Sequence, residues 1–217
     1  AKAKGDYFFK TLKELEKKRL KDVKYFAHGR RGVVYTAMLK GKKVAVKAEK
    51  PDSAAVARIN NEAEWLKRLN RKGIGPKFIS YDRKDKFVVL EFIYGDFILD
   101  FFADKKTKKG DILRILKDVF KQCFILDKMN LEKDEIHRPI KHIIIRKKDS
   151  KPVMIDFERC RKTLKPKNVT QFCQFVTSGR VNIIINEKGV DIDREKLLKL
   201  AGEYKRRIND ISLKKIL

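Results

Sequence analysis

Lys47 closes the run Val44-Ala45-Val46-Lys47, a cation standing where a hydrophobic strand would otherwise continue. Upstream, Gly29 and Gly32 lie three apart between apolar runs, so a strand, a glycine-rich turn and a second strand follow one another. A loop of that kind can cover phosphates, and a sheet-anchored lysine beside it suits a nucleotide. By itself a glycine turn marks only a hairpin, so the weight falls on the register of the whole stretch. A second set of reactive side chains falls between His137 and Glu158. His137 and His142, two of the chain's three histidines, stand five apart, and the apolar run Val153-Met154-Ile155 ends on Asp156. A carboxylate at the end of a buried strand can hold Mg2+ against the β- and γ-phosphates of a nucleotide. A neutral imidazole nearby can accept a proton.

The elements that must position these groups follow from apolar periodicity. Over residues 6–20, Tyr7, Phe8, Leu12 and Leu15 fall on a helical period with lysines on the other faces, which predicts an amphipathic helix ahead of the glycines. A short strand over 23–26, a strand over 33–39, a break at Gly41 and a strand from 44 to Lys47 come next. Pro51, Asp52 and Ser53 open a helix whose Ala55, Ile59, Ala63, Leu66 and Leu69 recur at three and four. Glu62 lies on or near that stripe. Read as helix-surface carboxylates, Glu62 and Glu64 would pair with Arg58 or Lys67. A turn over 73–76 leads to strands over 77–81 and 87–92, the second alternating little and so buried on both faces. Residues 105–110 read as a basic loop. Ile112, Ile115, Leu116, Val119, Phe120, Cys123 and Leu126 mark a long buried helix, followed by a polar break over 130–135. Ile143-Ile144-Ile145 and Val153-Met154-Ile155 predict two short strands joined by a charged turn. A helix over 168–178 with Gly179 as its stop, a stretch over 181–185 that fits strand or helix, and a last helix over 191–211 complete the chain.

Taken together, Ala27 in place of the first glycine of G-x-G-x-x-G-x-V, then Gly29, Gly32 and Val34, and Lys47 fifteen residues after Gly32, resemble the start of a protein-kinase domain. The resemblance implies that Ala27, Gly29, Gly32, Val34, Ala45 and Lys47 lie against ATP. It also implies that Glu62, in the phrase Asn-Glu-Ala-Glu-Trp-Leu, holds Lys47. The segment from Leu90 to Gly95 is similar to the kinase hinge, where the backbone of Glu91 and Ile93 would bond adenine. Aligning His142-Ile143-Ile144 with the kinase N-I-L puts His142 at the metal-holding asparagine and His137 at the catalytic aspartate. Asp156-Phe157 resembles the metal motif, with Glu158 at its glycine. The implied fold is α+β and two-lobed. An N-terminal antiparallel sheet plus helix covers about residues 1–92, and a reduced, mostly helical C-terminal lobe covers 93–217. No Ala-Pro-Glu anchor follows, and the short C-terminal lobe resembles the RIO kinases and the kinase subunit of the KEOPS complex. The similarity spans about residues 22–180.

Composition bounds these readings. With 217 residues and 42% hydrophobic content the chain can build a real core. Its 55 Lys and Arg against 29 Asp and Glu give a formal charge of +26. That excess fits RNA, a ribosomal particle or an acidic protein, and equally a Lys-rich heat-adapted surface. Cys123, Cys160 and Cys173 lack metal-ligand spacing and read as buried thiols in a reducing cytoplasm. No run approaches the ~18 apolar residues of a membrane span, no apolar signal core is evident, and the Asn168-Val-Thr170 sequon reads as chance. Three functions compete. The first is an atypical RIO-like Ser/Thr protein kinase using ATP and Mg2+ on a protein acceptor or on itself. The second is a pseudokinase acting as a nucleotide-switched RNA- or ribosome-binding module, and the third a small-molecule kinase of the sugar type.

Overall fold

The computed structural model describes residues 15, 19–28, 32–49 and 58–217. The expectations for Gly29, for most of the helix over 6–20 and for residues 51–57 lie outside the described residues. The chain is α+β and divides into two compact units, one ending at Phe92 and the other running from Ile93 to Leu217.

The first unit is built on a five-stranded antiparallel sheet. Strands β1 (Lys21–His28), β2 (Gly32–Leu39), β3 (Lys42–Glu49), β4 (Phe78–Asp82) and β5 (Phe87–Glu91) lie in the order β1-β2-β3-β5-β4. Lys40 and Gly41, at φ +48° and +73°, turn β2 into β3, a conformation glycine adopts without steric cost. Alternation gives the sheet two different faces. One carries Val33, Tyr35 and Ala37 of β2 with Val44, Val46 and Ala48 of β3, packed with Leu15 and Leu20 into a hydrophobic cluster. The other carries the positions between them, Lys47 included. Helix α1 (Arg58–Leu69) buries Ile59, Glu62, Ala63, Leu66 and Leu69, the stripe its period predicts. Asn70 fastens the turn that follows: its Nδ2 donates to the Ile74 and Pro76 carbonyls and its Oδ1 accepts from the Phe78 N–H at 2.7 Å. Residues Phe87 to Leu90 are buried without alternation, as a central strand requires.

The second unit holds six of the seven helices among the described residues and two small antiparallel sheets. Strand β6 (Gly95–Phe97) pairs with β8 (Ile143–Arg146), and β8 pairs with β9 (Pro152–Met154). Gly95 is required there, because a Cβ would stand 2.1 Å from the Ile145 carbonyl oxygen. The short helix α2 (Ile98–Ala103), which periodicity does not announce, precedes the long α3 (Lys109–Lys128). All seven apolar positions expected of α3 are buried, and its last turn adds the buried Asp127. The expected basic loop is shorter than read, since Lys109 and Gly110 already belong to α3.

Three further expectations are corrected. The polar break after α3 is largely interior: β7 (Leu131–Glu132) pairs with β10 (Arg161–Lys162), and Lys133 is 1% exposed. Gly179 does not stop the helix before it. Helix α4 (Asn168–Val176) ends ahead of it, Ser178 is extended, and Gly179 opens α5 (Gly179–Asn186), which settles residues 181–185 as helix. The last helix is two: α6 (Arg194–Arg206) and α7 (Asp210–Ile216), because Arg207 turns extended and Asn209 caps a new start by accepting from the Ser212 N–H at 2.8 Å.

Candidate active site

In the first unit the register gathers the expected nucleotide-facing positions into rows. Ala27 of β1 stands opposite Val34 of β2, and Val34 opposite Lys47 of β3. One step along, Thr36 stands opposite Ala45, and Ala45 opposite Leu90. Residues directly opposite share a face, so Ala27, Val34, Ala45 and Lys47 line the sheet face opposite the Leu15 cluster. Gly32 belongs to β2 and approaches β3 closely, with a Cβ there meeting the Ala48 carbonyl oxygen at 3.0 Å. Across this face Lys47 Nζ lies 2.9 Å from both Oε1 and Oε2 of Glu62. The glutamate is fully buried while the lysine side chain keeps 19% exposure. Glu64, two positions on, pairs instead with Lys67 at 2.9 Å on the surface, and that hydrogen bond holds its carboxyl below the usual range. The two readings of the helix carboxylates therefore divide: Glu62 takes the strand lysine and Glu64 the helix surface.

Glu91 is committed to the sheet. Its N–H donates to the Lys77 carbonyl at 2.9 Å and its Oε2 accepts from the Lys77 N–H at 3.1 Å. Ile93, which begins the second unit, is at the edge of burial at 9% exposure.

In the second unit His142 and Asp156 come together and His137 does not join them. His142 ends the turn before β8, and its carbonyl accepts from the Ile155 N–H at 2.9 Å, which fixes Asp156 one residue further on. His142 Nε2 stands 3.6 Å from Asp156 Oδ2 and 3.5 Å from Glu135 Oε2. One imidazole nitrogen thus lies near two carboxylates. Asp156 and Glu135 both carry left-handed backbones, at φ +67° and +62°. Non-glycine residues pay about 1–2 kcal/mol there, a strain that collects at functional positions. Glu158, at the place of the motif's glycine, is not among the left-handed residues. His137 is exposed in the turn after Glu135, with neither a hydrogen bond nor an ion pair to any described residue.

Sequence reasoning missed Glu135. It sits in a polar run without period, and only the fold brings it to His142. Arg159 holds this corner, with one guanidinium nitrogen 2.7 Å from Asp134 and 3.3 Å from Glu135. Beneath it Lys133 lies with its ammonium 5.3 Å from the Phe157 ring centroid, a cation placed over an aromatic face. The whole segment hangs on Asn168, whose Oδ1 accepts from the Lys133 N–H at 2.9 Å and whose Nδ2 donates to the Leu131 carbonyl. Asn168 in turn donates to Asp127, as do the Val169 N–H and the Tyr204 hydroxyl. Burial raises the Asp127 carboxyl, and those donors act against the rise. The sequon asparagine is therefore an interior clamp.

The donor chemistry fits Mg2+ at Asp156 better than at His142. Magnesium takes oxygen ligands and keeps waters, so one half-exposed carboxylate serves it when phosphates complete the shell. An imidazole nitrogen suits softer metals, and His142 already faces carboxylates. Among the described residues no group of three or more His, Cys, Asp or Glu is placed to hold a metal ion by itself. No described helix is long and apolar enough to cross a membrane.

No protein-family model matches the chain, and no curated protein matches it.

Proposed function

We propose that this protein is a two-lobed, kinase-like phosphotransferase of the RIO type that binds Mg-ATP and transfers the γ-phosphoryl group to a Ser or Thr hydroxyl, of its own chain or of another protein. The observation that carries the proposal is the Lys47–Glu62 pair. A fully buried carboxylate fixes the ammonium with both oxygens while the lysine remains partly exposed, as a phosphate-holding cation must. The rows Ala27–Val34–Lys47 and Thr36–Ala45–Leu90 set Ala27, Val34 and Ala45 on the same sheet face as Lys47, where the kinase resemblance expects the nucleotide.

In this reading Lys47 holds phosphate oxygens and Glu62 orients Lys47. Asp156 would hold the metal, its backbone placed by the Ile155–His142 bond one residue before it. Bound Mg2+ would offset the charge of the β- and γ-phosphates. The acceptor hydroxyl oxygen attacks phosphorus, the bond to the β-phosphate oxygen breaks, ADP leaves, and the hydroxyl proton passes to a base. Register assigns that base to His137; Glu135, which lies 3.5 Å from the same His142 nitrogen that stands 3.6 Å from Asp156, is the side chain we assign the role.

One observation favours the pseudokinase reading. The alignment puts His142 where a kinase keeps a second metal-holding oxygen ligand, and its Nε2 lies 3.5 and 3.6 Å from two carboxylates. Both readings require nucleotide binding. A ligand that binds only the folded state stabilises it by about 2.7 kcal/mol at a hundredfold excess over its Kd. Mg-ATP should therefore raise Tm. The shift should vanish in Asp156→Asn and in the paired variant Lys47→Met with Glu62→Gln, which removes both charges while keeping the shape. An undiminished shift in both variants means that nucleotide, if bound, binds elsewhere.

A further inference from the structure

Two basic clusters that are distant in sequence share one surface of the second unit. The first lies in the loop ahead of α3, where Lys105, Lys106 and Lys108 are exposed together with Lys109 at the helix start. The second is the β8–β9 hairpin turn, where Lys147, Lys148 and Lys151 are exposed. Arg114 joins them: from the second turn of α3 its guanidinium donates to the Ser150 carbonyl at 2.9 Å, thirty-six residues away. On the other flank Lys188, from the end of α5, donates to the Asp104 carbonyl at 2.7 Å. A Cβ on the neighbouring Gly189 would touch the Lys109 side chain at 3.9 Å.

Residues 104–114 and 146–151 hold nine Lys or Arg against three Asp. Those three acids are occupied locally. The Asp104 carboxylate accepts from the Lys106 N–H, that of Asp111 from the Lys108 N–H, and that of Asp149 from Arg146 and the Lys151 N–H. Arg114 also pairs with Asp111 at 3.4 Å, no described lysine ammonium pairs with any of the three carboxylates, and Lys147 lies instead 3.9 Å from Asp96. A surface with so large an excess of one sign repels itself, and it is stabilised by a partner carrying the opposite charge at regular spacing.

The geometry points to this face as a binding surface for the phosphodiester backbone of a nucleic acid, running from Lys188 past the α3 loop and Arg114 to the hairpin turn. Recognition is by charge and spacing, so RNA and DNA duplexes share the chemistry and the measurement separates them. It does not depend on the nucleotide proposal and is tested with no ATP present.

Anisotropy of a short labelled RNA duplex, and of a DNA duplex of the same sequence, is followed against the full chain as salt rises. Each neutralised phosphate contributes about −0.9 to the slope of log K against log salt for B-form DNA, so a slope of about −3 or steeper is expected. Lys105→Glu with Lys106→Glu, and separately Lys147→Glu with Lys148→Glu, should each weaken binding about tenfold or more and flatten the slope. Lys40→Glu with Lys42→Glu, the same charge change at the β2–β3 turn, should alter affinity by less than about threefold. Equal loss in that control shows diffuse attraction and overturns the assignment, as does weak binding without salt dependence. Competition by poly-glutamate as effective as competition by RNA makes the partner an acidic protein and also overturns it. Tighter binding of one duplex identifies the source of the backbone.

Discussion

At the scale of single residues the Lys47–Glu62 pair decides most. Glu62 has no exposure, so removing its partner leaves a buried charge that the surroundings cannot solvate. Lys47→Ala should cost about 3–5 kcal/mol in urea denaturation. Adding Glu62→Gln to a Lys47→Met background should recover most of it, because the carboxylate that needed the cation is gone. A loss below about 1 kcal/mol would mean the pair behaves as a surface one. The place of Glu62 was legible in sequence, since the three-and-four spacing of Ile59, Ala63 and Leu66 puts it beside the buried stripe, whereas its pairing with Lys47 is implied only by the kinase resemblance. The partner of His142 was not legible, because Glu135 stands in Glu-Lys-Asp-Glu, where no periodicity distinguishes one carboxylate from the next. In a transfer assay Glu135→Gln should lower the rate by about a hundredfold or more. His137→Ala, exposed and without contacts, should lower it by less than about threefold. The reverse pattern restores the register-based assignment of the base to His137.

At the scale of elements, the interior polar clamp does what the helices' apolar faces cannot. The end of α3, the start of α4 and the side of α6 meet at Asp127, Asn168 and Tyr204, and Asn168 passes that rigidity to the backbone of 131–133. Asn168→Ala should leave the Lys133 N–H, the Leu131 carbonyl and one side of Asp127 unsatisfied. At about 1–3 kcal/mol for each buried orphan the total should exceed about 3 kcal/mol in chemical denaturation. A loss near that of an ordinary surface substitution would show that the clamp is dispensable. The burial of α3 was legible because seven apolar residues hold one period over its length. The clamp was not, because Asp127 and Asn168 are 41 residues apart and each reads alone as a terminus-loving polar residue. The final helix was read as continuous for a related reason: Ile208 keeps the apolar period through the break, and the countersignal is the Asn209 cap. Asn209→Ala should cost about 1 kcal/mol and fray α7 selectively, which amide exchange of residues 210–216 would register.

At the scale of the whole molecule, three buried thiols make stability depend on pH on the alkaline side. Burial pushes Cys160 and Cys173 up to about 12 from an ordinary 9.0, and Cys123 well above it. A raised thiol contributes stability that is complete below the unfolded value and is lost as pH climbs toward the folded one. Tm should thus fall between pH 9 and 12. At about pH 8 a thiol reagent should label these cysteines only after unfolding; rapid labelling of the native chain would contradict their burial. The charge of +26 was plain from composition, but the meeting of two of its basic clusters on the second unit rests on the Arg114–Ser150 bond, which no local pattern reveals. The most direct measurement of the proposed activity is transfer of labelled γ-phosphate from Mg-ATP to the chain itself and to a basic protein acceptor, followed by phosphoamino-acid analysis. Label is expected on Ser or Thr, and is expected to be lost by at least about a hundredfold in Asp156→Asn, whose amide would no longer supply the metal-holding charge. Label that persists undiminished in Asp156→Asn, or its complete absence from every acceptor in a protein that binds Mg-ATP, would contradict it.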